Sequence, residues 1–123
     1  MKLYKCKDCG SVFEMIYPNT EPCKDHFEEI YPNSSEGATE KHLPVVHVDG
    51  SKIKVRVASV PHPMDEKHWI TSIFLVYNGH VLRRDLSPND HPEAEFDVGK
   101  YKGNIDVYEY CNLHGLWKTG VII

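Results

Sequence analysis

No stretch of this chain approaches the ~20 consecutive apolar residues that a membrane-spanning helix needs. The opening Met-Lys-Leu-Tyr-Lys-Cys also lacks the apolar run of a secretory signal, so a cytoplasmic location is the expectation. A basic excess is missing too: 14 Lys and Arg stand against 18 Asp and Glu, for a net charge of −4. That balance argues against a nucleic-acid partner, because phosphate binding calls for a basic patch. Cysteine is scarce and unevenly placed: Cys6, Cys9 and Cys23 cluster near the N-terminus, while Cys111 stands alone. In a reducing compartment such spacing favours metal ligation over a disulfide framework. Long helical periodicity and internal repeats are absent as well. Histidine, by contrast, is abundant, with 8 in 123 residues.

An apolar fraction of 41% and a chain of 123 residues suffice for one real core. The first segment, "YKCKDCGSVFEMIYPNTEPCKDHFEEIYP", carries a Cys-x-x-Cys-Gly knuckle at Cys6 and Cys9, then a third cysteine, Cys23. It reads as half of a metal ribbon. The polar, small-residue run "NSSEGATE" from Asn33 to Glu40 reads as a linker. The expected division is therefore 1–36 and 37–123.

From Leu43 onward the signals are for strands. In "KIKVRVASV", Ile53, Val55 and Val57 alternate with Lys52, Lys54 and Arg56, the period of a strand buried on one face. The run "HWITSIFLVY" is rich in β-branched and aromatic residues and ends at Asn78-Gly79, a strong hairpin signal, before "HVLRRDL" returns. "SPNDHPEAEFDV", "GNIDVYEYC" and "LWKTGVII" continue the pattern. About seven short strands with regular turn signals predict an all-β fold, an antiparallel β-sandwich of immunoglobulin-like type.

Four short stretches then stand out: "EKHLP", "SVPHPM", "DEKHWI" and "CNLHG". They offer His42, His62, His68 and His114, and the last adds Cys111. Taken singly, each histidine reads better as structural or solvated than as a ligand, and a lone cysteine better as a buried apolar group. Together they make a candidate donor set. His62, held between Pro61 and Pro63, has little backbone freedom to lose on ligation. Mixed imidazole and thiolate donors suit iron, copper or zinc, and five of them exceed the four of a closed zinc site, which favours iron. His47, His80 and His91 read as structural or solvated.

The motifs "EKHLPVV", "SVPHPMDEKHWI" and "EYCNLHGLW" resemble those of the superoxide reductase family, also called desulfoferrodoxin and neelaredoxin, over about residues 37–118. That resemblance implies a seven-stranded immunoglobulin-like sandwich. It implies one non-haem iron held by His42, His62, His68 and His114 in a plane, with Cys111 as the axial thiolate. The implied reaction is one-electron reduction of superoxide to hydrogen peroxide, with Lys41 attracting the anion and Glu40 taking the open position in the resting state. A rubredoxin-like electron donor and a homodimer or homotetramer are implied too. Without the resemblance, Glu40 and Lys41 would read as exposed linker residues. Two readings compete with the enzyme: a non-catalytic iron-binding or electron-transfer protein, and a zinc-stabilised β-sandwich interaction module.

The first segment departs from the family pattern. Two-iron members hold their N-terminal iron with four cysteines, the last two adjacent, whereas this chain reads Pro22-Cys23-Lys24. An intact four-cysteine centre is therefore not expected. Either Cys6, Cys9 and Cys23 are completed by His26 around iron or zinc, or the segment holds no metal.

Overall fold

This computed structural model describes residues 1–18, 25–34, 42–58 and 62–123. Among them the regular structure is entirely strand, and no helix is long and apolar enough to cross a membrane. The chain forms two compact units, Met1–Tyr31 and Pro32–Ile123, and the family-type motifs all fall in the second.

In the first unit β1 (Leu3–Cys6), β2 (Val12–Glu14) and β3 (Phe27–Ile30) form an antiparallel sheet in the order β2-β1-β3. Such short strands have little propensity of their own, and aromatic contacts between neighbours hold them. Phe13 packs edge-on against Phe27 at 5.0 Å and stacks on Tyr4 at 6.2 Å.

The second unit contains β4 (Pro44–Asp49), β5 (Lys52–Val57), β6 (Ile70–Tyr77), β7 (His80–Asp85), β8 (Glu93–Asp97), β9 (Asn104–Cys111) and β10 (Gly115–Ile122). They make two antiparallel sheets, one ordered β10-β9-β6-β7 and the other β4-β5-β8. This is the two-sheet arrangement of an immunoglobulin-like sandwich, with β7 paired to β6 at one edge. The expected alternation holds residue by residue in β5: Ile53, Val55 and Val57 are buried and the three cations between them exposed. Ile73, Leu75, Ala94, Phe96, Ile105 and Val107 meet those residues in one core. Truncating a side chain as buried as Leu75 costs about 2–5 kcal/mol. Asn78 and Gly79 both take positive φ, 45° and 76°, as the two central residues of a tight hairpin turn require.

Two irregularities lie next to the histidine-bearing segments. The register of β6 on β9 shifts between Ile70 and Ser72, so that Ile70 pairs with Cys111 and Ser72 with Tyr110. Such bulges re-aim side chains at the end of a strand. Ala58, buried in the core and bonded through its N–H to the Leu43 carbonyl at 3.2 Å, has φ of 68°. A non-glycine residue is held there only by its surroundings.

Candidate metal centre

Strand β9 delivers the thiol. Its inward side chains Ile105, Val107, Glu109 and Cys111 follow the period of two, and all four are buried. Cys111 ends the strand and pairs with Gly115 across a tight turn, where Gly115 takes φ of 85°. The turn places the His114 ring beside the sulfur, with Nδ1 3.7 Å from Sγ. The Trp117 indole N–H then donates to the His114 carbonyl at 3.1 Å and closes the turn from the other side.

Three further imidazoles arrive from segments distant in sequence. His42 precedes β4, and its buried ring lies 4.6 Å from that of His114 and 4.9 Å from that of His62. His68 packs edge-on against His62 at 4.7 Å and against His114 at 5.0 Å. The four rings thus form a closed circuit, His42 to His62 to His68 to His114 and back. Donor atoms of His42, His62, Cys111 and His114 all lie within 4.8 Å of one another, and His68 is held beside that group by its ring. Neutral imidazoles and a thiolate gathered so closely are the donor chemistry of a transition-metal site, so the residues present fit iron.

The surroundings orient these donors. His62 Nδ1 lies 2.7 Å from the Pro63 carbonyl oxygen; a carbonyl only accepts, so Nδ1 carries the proton and Nε2 keeps the lone pair. Trp117 stacks on His42 at 4.9 Å with 24° between the planes. The Asp65 carboxylate accepts from the N–H groups of Lys67 and His68, both at 2.9 Å. Asn112, between Cys111 and His114, accepts from Trp69 N–H and donates to the Lys67 carbonyl, also at 2.9 Å each. Burial raises the pKa of the Tyr110 phenol, and the adjacent Cys111 charge raises it further. Tyr110 therefore stays protonated beside the site.

One buried group escaped the sequence reading. Glu109 is wholly buried, and its carboxylate lies 3.9 Å from His42 Nδ1. A carboxylate behind an imidazole fixes the ring and raises its basicity. The signal was present: an acid at an inward position of β9, where burial is costly without a partner.

Glu40, Lys41 and Cys23 lie outside the described residues. His47, His80 and His91 are exposed and apart from the cluster. At the N-terminal knuckle the Cys9 N–H donates to Cys6 Sγ at 3.4 Å and the two thiols are free. The Ser11 hydroxyl, 3.2 Å from Cys9 Sγ, lowers the pKa of that exposed thiol, helped by the Ser11 backbone and by Cys6. His26 pairs with Asp8 at 3.8 Å, and its carbonyl accepts from Lys7 N–H at 2.9 Å. Among the described residues, Cys6, Cys9 and His26 do not gather into a donor group like that of the sandwich.

Comparison with known proteins points the same way. The model of the family described as desulfoferrodoxin matches residues 34–120. The desulfoferrodoxin of Nitratidesulfovibrio vulgaris is 42% identical over 121 residues, covering 96% of this chain and 94% of that one. A desulfoferrodoxin homolog from Archaeoglobus fulgidus is 37% identical over 123 residues, covering 98% and 97%. Among solved structures, the superoxide reductase from Treponema pallidum superposes with a TM-score of 0.74 at 28% identity, over 96% of each chain.

Proposed function

The chain belongs to the desulfoferrodoxin family, and from that premise we propose that it is a superoxide reductase acting at a mononuclear non-haem iron. The reaction is O2•− + e− + 2 H+ → H2O2. The observation that carries this reading is the closed circuit of His42, His62, His68 and His114 with the Cys111 sulfur at its side. These five residues would hold the iron, which would supply the electron.

The remaining work falls to the chain. Cys111, wholly buried, keeps its thiolate away from water, and a thiolate donor pushes electron density outward as it does in other iron proteins. His42 and His62 are buried with it, whereas His114 is exposed, so substrate and the two solvent protons enter over the His114 rim. The net charge of −4 repels an anion at long range, so attraction has to be local. Lys41, next to His42 in sequence, supplies it and stabilises the charge that develops on the substrate. Glu40 competes with the product for the site and speeds its release. The same reading brings a rubredoxin-like donor, a homodimer or homotetramer, and a cytoplasmic location. It treats the N-terminal three-cysteine segment as dispensable for catalysis.

Metal analysis with an absorption spectrum is the first test. Stoichiometric iron with a sulfur-to-iron charge-transfer band in the oxidised protein is expected, and colourless protein holding only zinc would sink the proposal. Pulse radiolysis with superoxide then separates enzyme from carrier. Rapid oxidation of the ferrous protein with formation of peroxide and no dioxygen is the required result.

A further inference from the structure

Resting on the metal-centre reading above, we propose that Asn112 is a positioning residue that locks His68 onto the Cys111–His114 turn. Three of the four imidazoles share their tight donor grouping with Cys111, whereas His68 stands on a loop between Asp65 and Trp69. That loop has no strand of its own to hold it. Its backbone is nevertheless hydrogen-bonded on both sides of His68. Asp65 and His68 exchange N–H to carbonyl bonds at 3.0 and 3.2 Å, and the Asp65 carboxylate accepts from the Lys67 and His68 amides. The other flank belongs to Asn112: its Oδ1 accepts from Trp69 N–H at 2.9 Å, its Nδ2 donates to the Lys67 carbonyl at 2.9 Å, and its own N–H donates to the Trp69 carbonyl at 3.3 Å.

One residue thus bonds both neighbours of His68 while sitting between Cys111 and His114. The primary amide is the group this requires. It pairs one acceptor with one donor at fixed separation, and the partners dictate its orientation, since Trp69 N–H must meet oxygen and the Lys67 carbonyl must meet nitrogen. Aspartate would set an oxygen against the Lys67 carbonyl, and alanine would leave both loop groups to water. The consequence is that donors from two segments, His68 on one and Cys111 with His114 on the other, move as a single frame.

The test is titration of the metal-free full-length protein with Co2+, comparing the parent with Asn112→Ala, Asn112→Asp and His68→Ala. Dissociation constants and visible spectra are read together. Asn112→Ala is expected to bind cobalt about ten- to a hundred-fold more weakly, keep the thiolate-to-cobalt band, and show the d–d pattern of His68→Ala. Asn112→Asp, which retains the acceptor, should shift in the same direction by less, and it decides the matter should the alanine variant not fold. Parent-like affinity and spectrum in Asn112→Ala overturn the proposal. So does loss of the thiolate band, which would make Asn112 a support of the whole turn. If the parent itself takes up cobalt without a thiolate band, the metal-centre reading falls instead.

Discussion

Cys111 is at once a core residue and a candidate ligand, and two substitutions separate these roles. Its side chain is wholly buried and belongs to the same apolar cluster as Ile70 and Val107. As a core residue alone, Cys111→Ala would lose roughly one methylene equivalent of burial, about 0.8 kcal/mol. Cys111→Ser would put a hydroxyl into that apolar site at a cost of about 1–3 kcal/mol. Metal-free protein should therefore unfold in urea at decreasing midpoints in the order parent, alanine, serine. A metal that binds only the folded chain adds RT ln(1 + [L]/Kd), about 4 kcal/mol at a thousand-fold excess over Kd. The parent should gain that stabilisation with Fe2+ under anaerobic conditions. Both variants should gain markedly less and should lack the charge-transfer band after oxidation. An equal metal-induced gain in parent and variants, or survival of the band in Cys111→Ser, would refute the ligand role and leave Cys111 as packing.

Lys41→Ala should lower the second-order rate with superoxide about ten-fold or more and flatten its dependence on ionic strength, with iron still bound; stopped-flow or pulse-radiolysis rates at two salt concentrations check this. Glu109→Gln keeps the volume but removes the carboxylate 3.9 Å from His42, so metal affinity should fall about ten-fold or more, read by competition with a chromophoric chelator. In the first unit, the lowered pKa of Cys9 means that its thiolate persists to lower pH than that of an ordinary thiol. Iodoacetamide labelling of Cys9 in metal-free protein should thus reach half-maximal rate below the usual thiol midpoint, and Ser11→Ala should move that midpoint upward. An unchanged midpoint would detach the Ser11 hydroxyl from the effect.

Much of the sandwich was legible because period-two alternation has a direct physical cause. A strand buried on one face must repeat every second residue, and Ile53, Val55 and Val57 do so in the sequence and in the core. The Asn78-Gly79 turn was equally readable, since few dipeptides tolerate positive φ twice in succession. The three strands of the first unit were not, because runs as short as Val12–Glu14 carry too few residues to show a period. Among the site residues, the histidine motifs stood out only as a set. Glu109 and Asn112 were missed for a different reason: they act on other residues, through contacts between segments far apart in sequence.

The way β9 is built explains why this site can be both rigid and open. One parity of the strand runs Ile105, Val107, Glu109, Cys111. The alternation that fills the core therefore carries a carboxylate and then a sulfur to its end without any change of register. Packing on both sheets fixes that half. The rest of the donor set comes from loops, where exposed backbone would otherwise be free to drift. His62 is tethered by the Pro63 carbonyl, His68 by Asp65 and Asn112, and the His114 carbonyl by the Trp117 indole. Each tether is a hydrogen bond within one or two residues of the imidazole it serves, so the rings stay in place although His114 is exposed. A site assembled from core residues alone would hold its donors as firmly, but it would leave an anion no path to them.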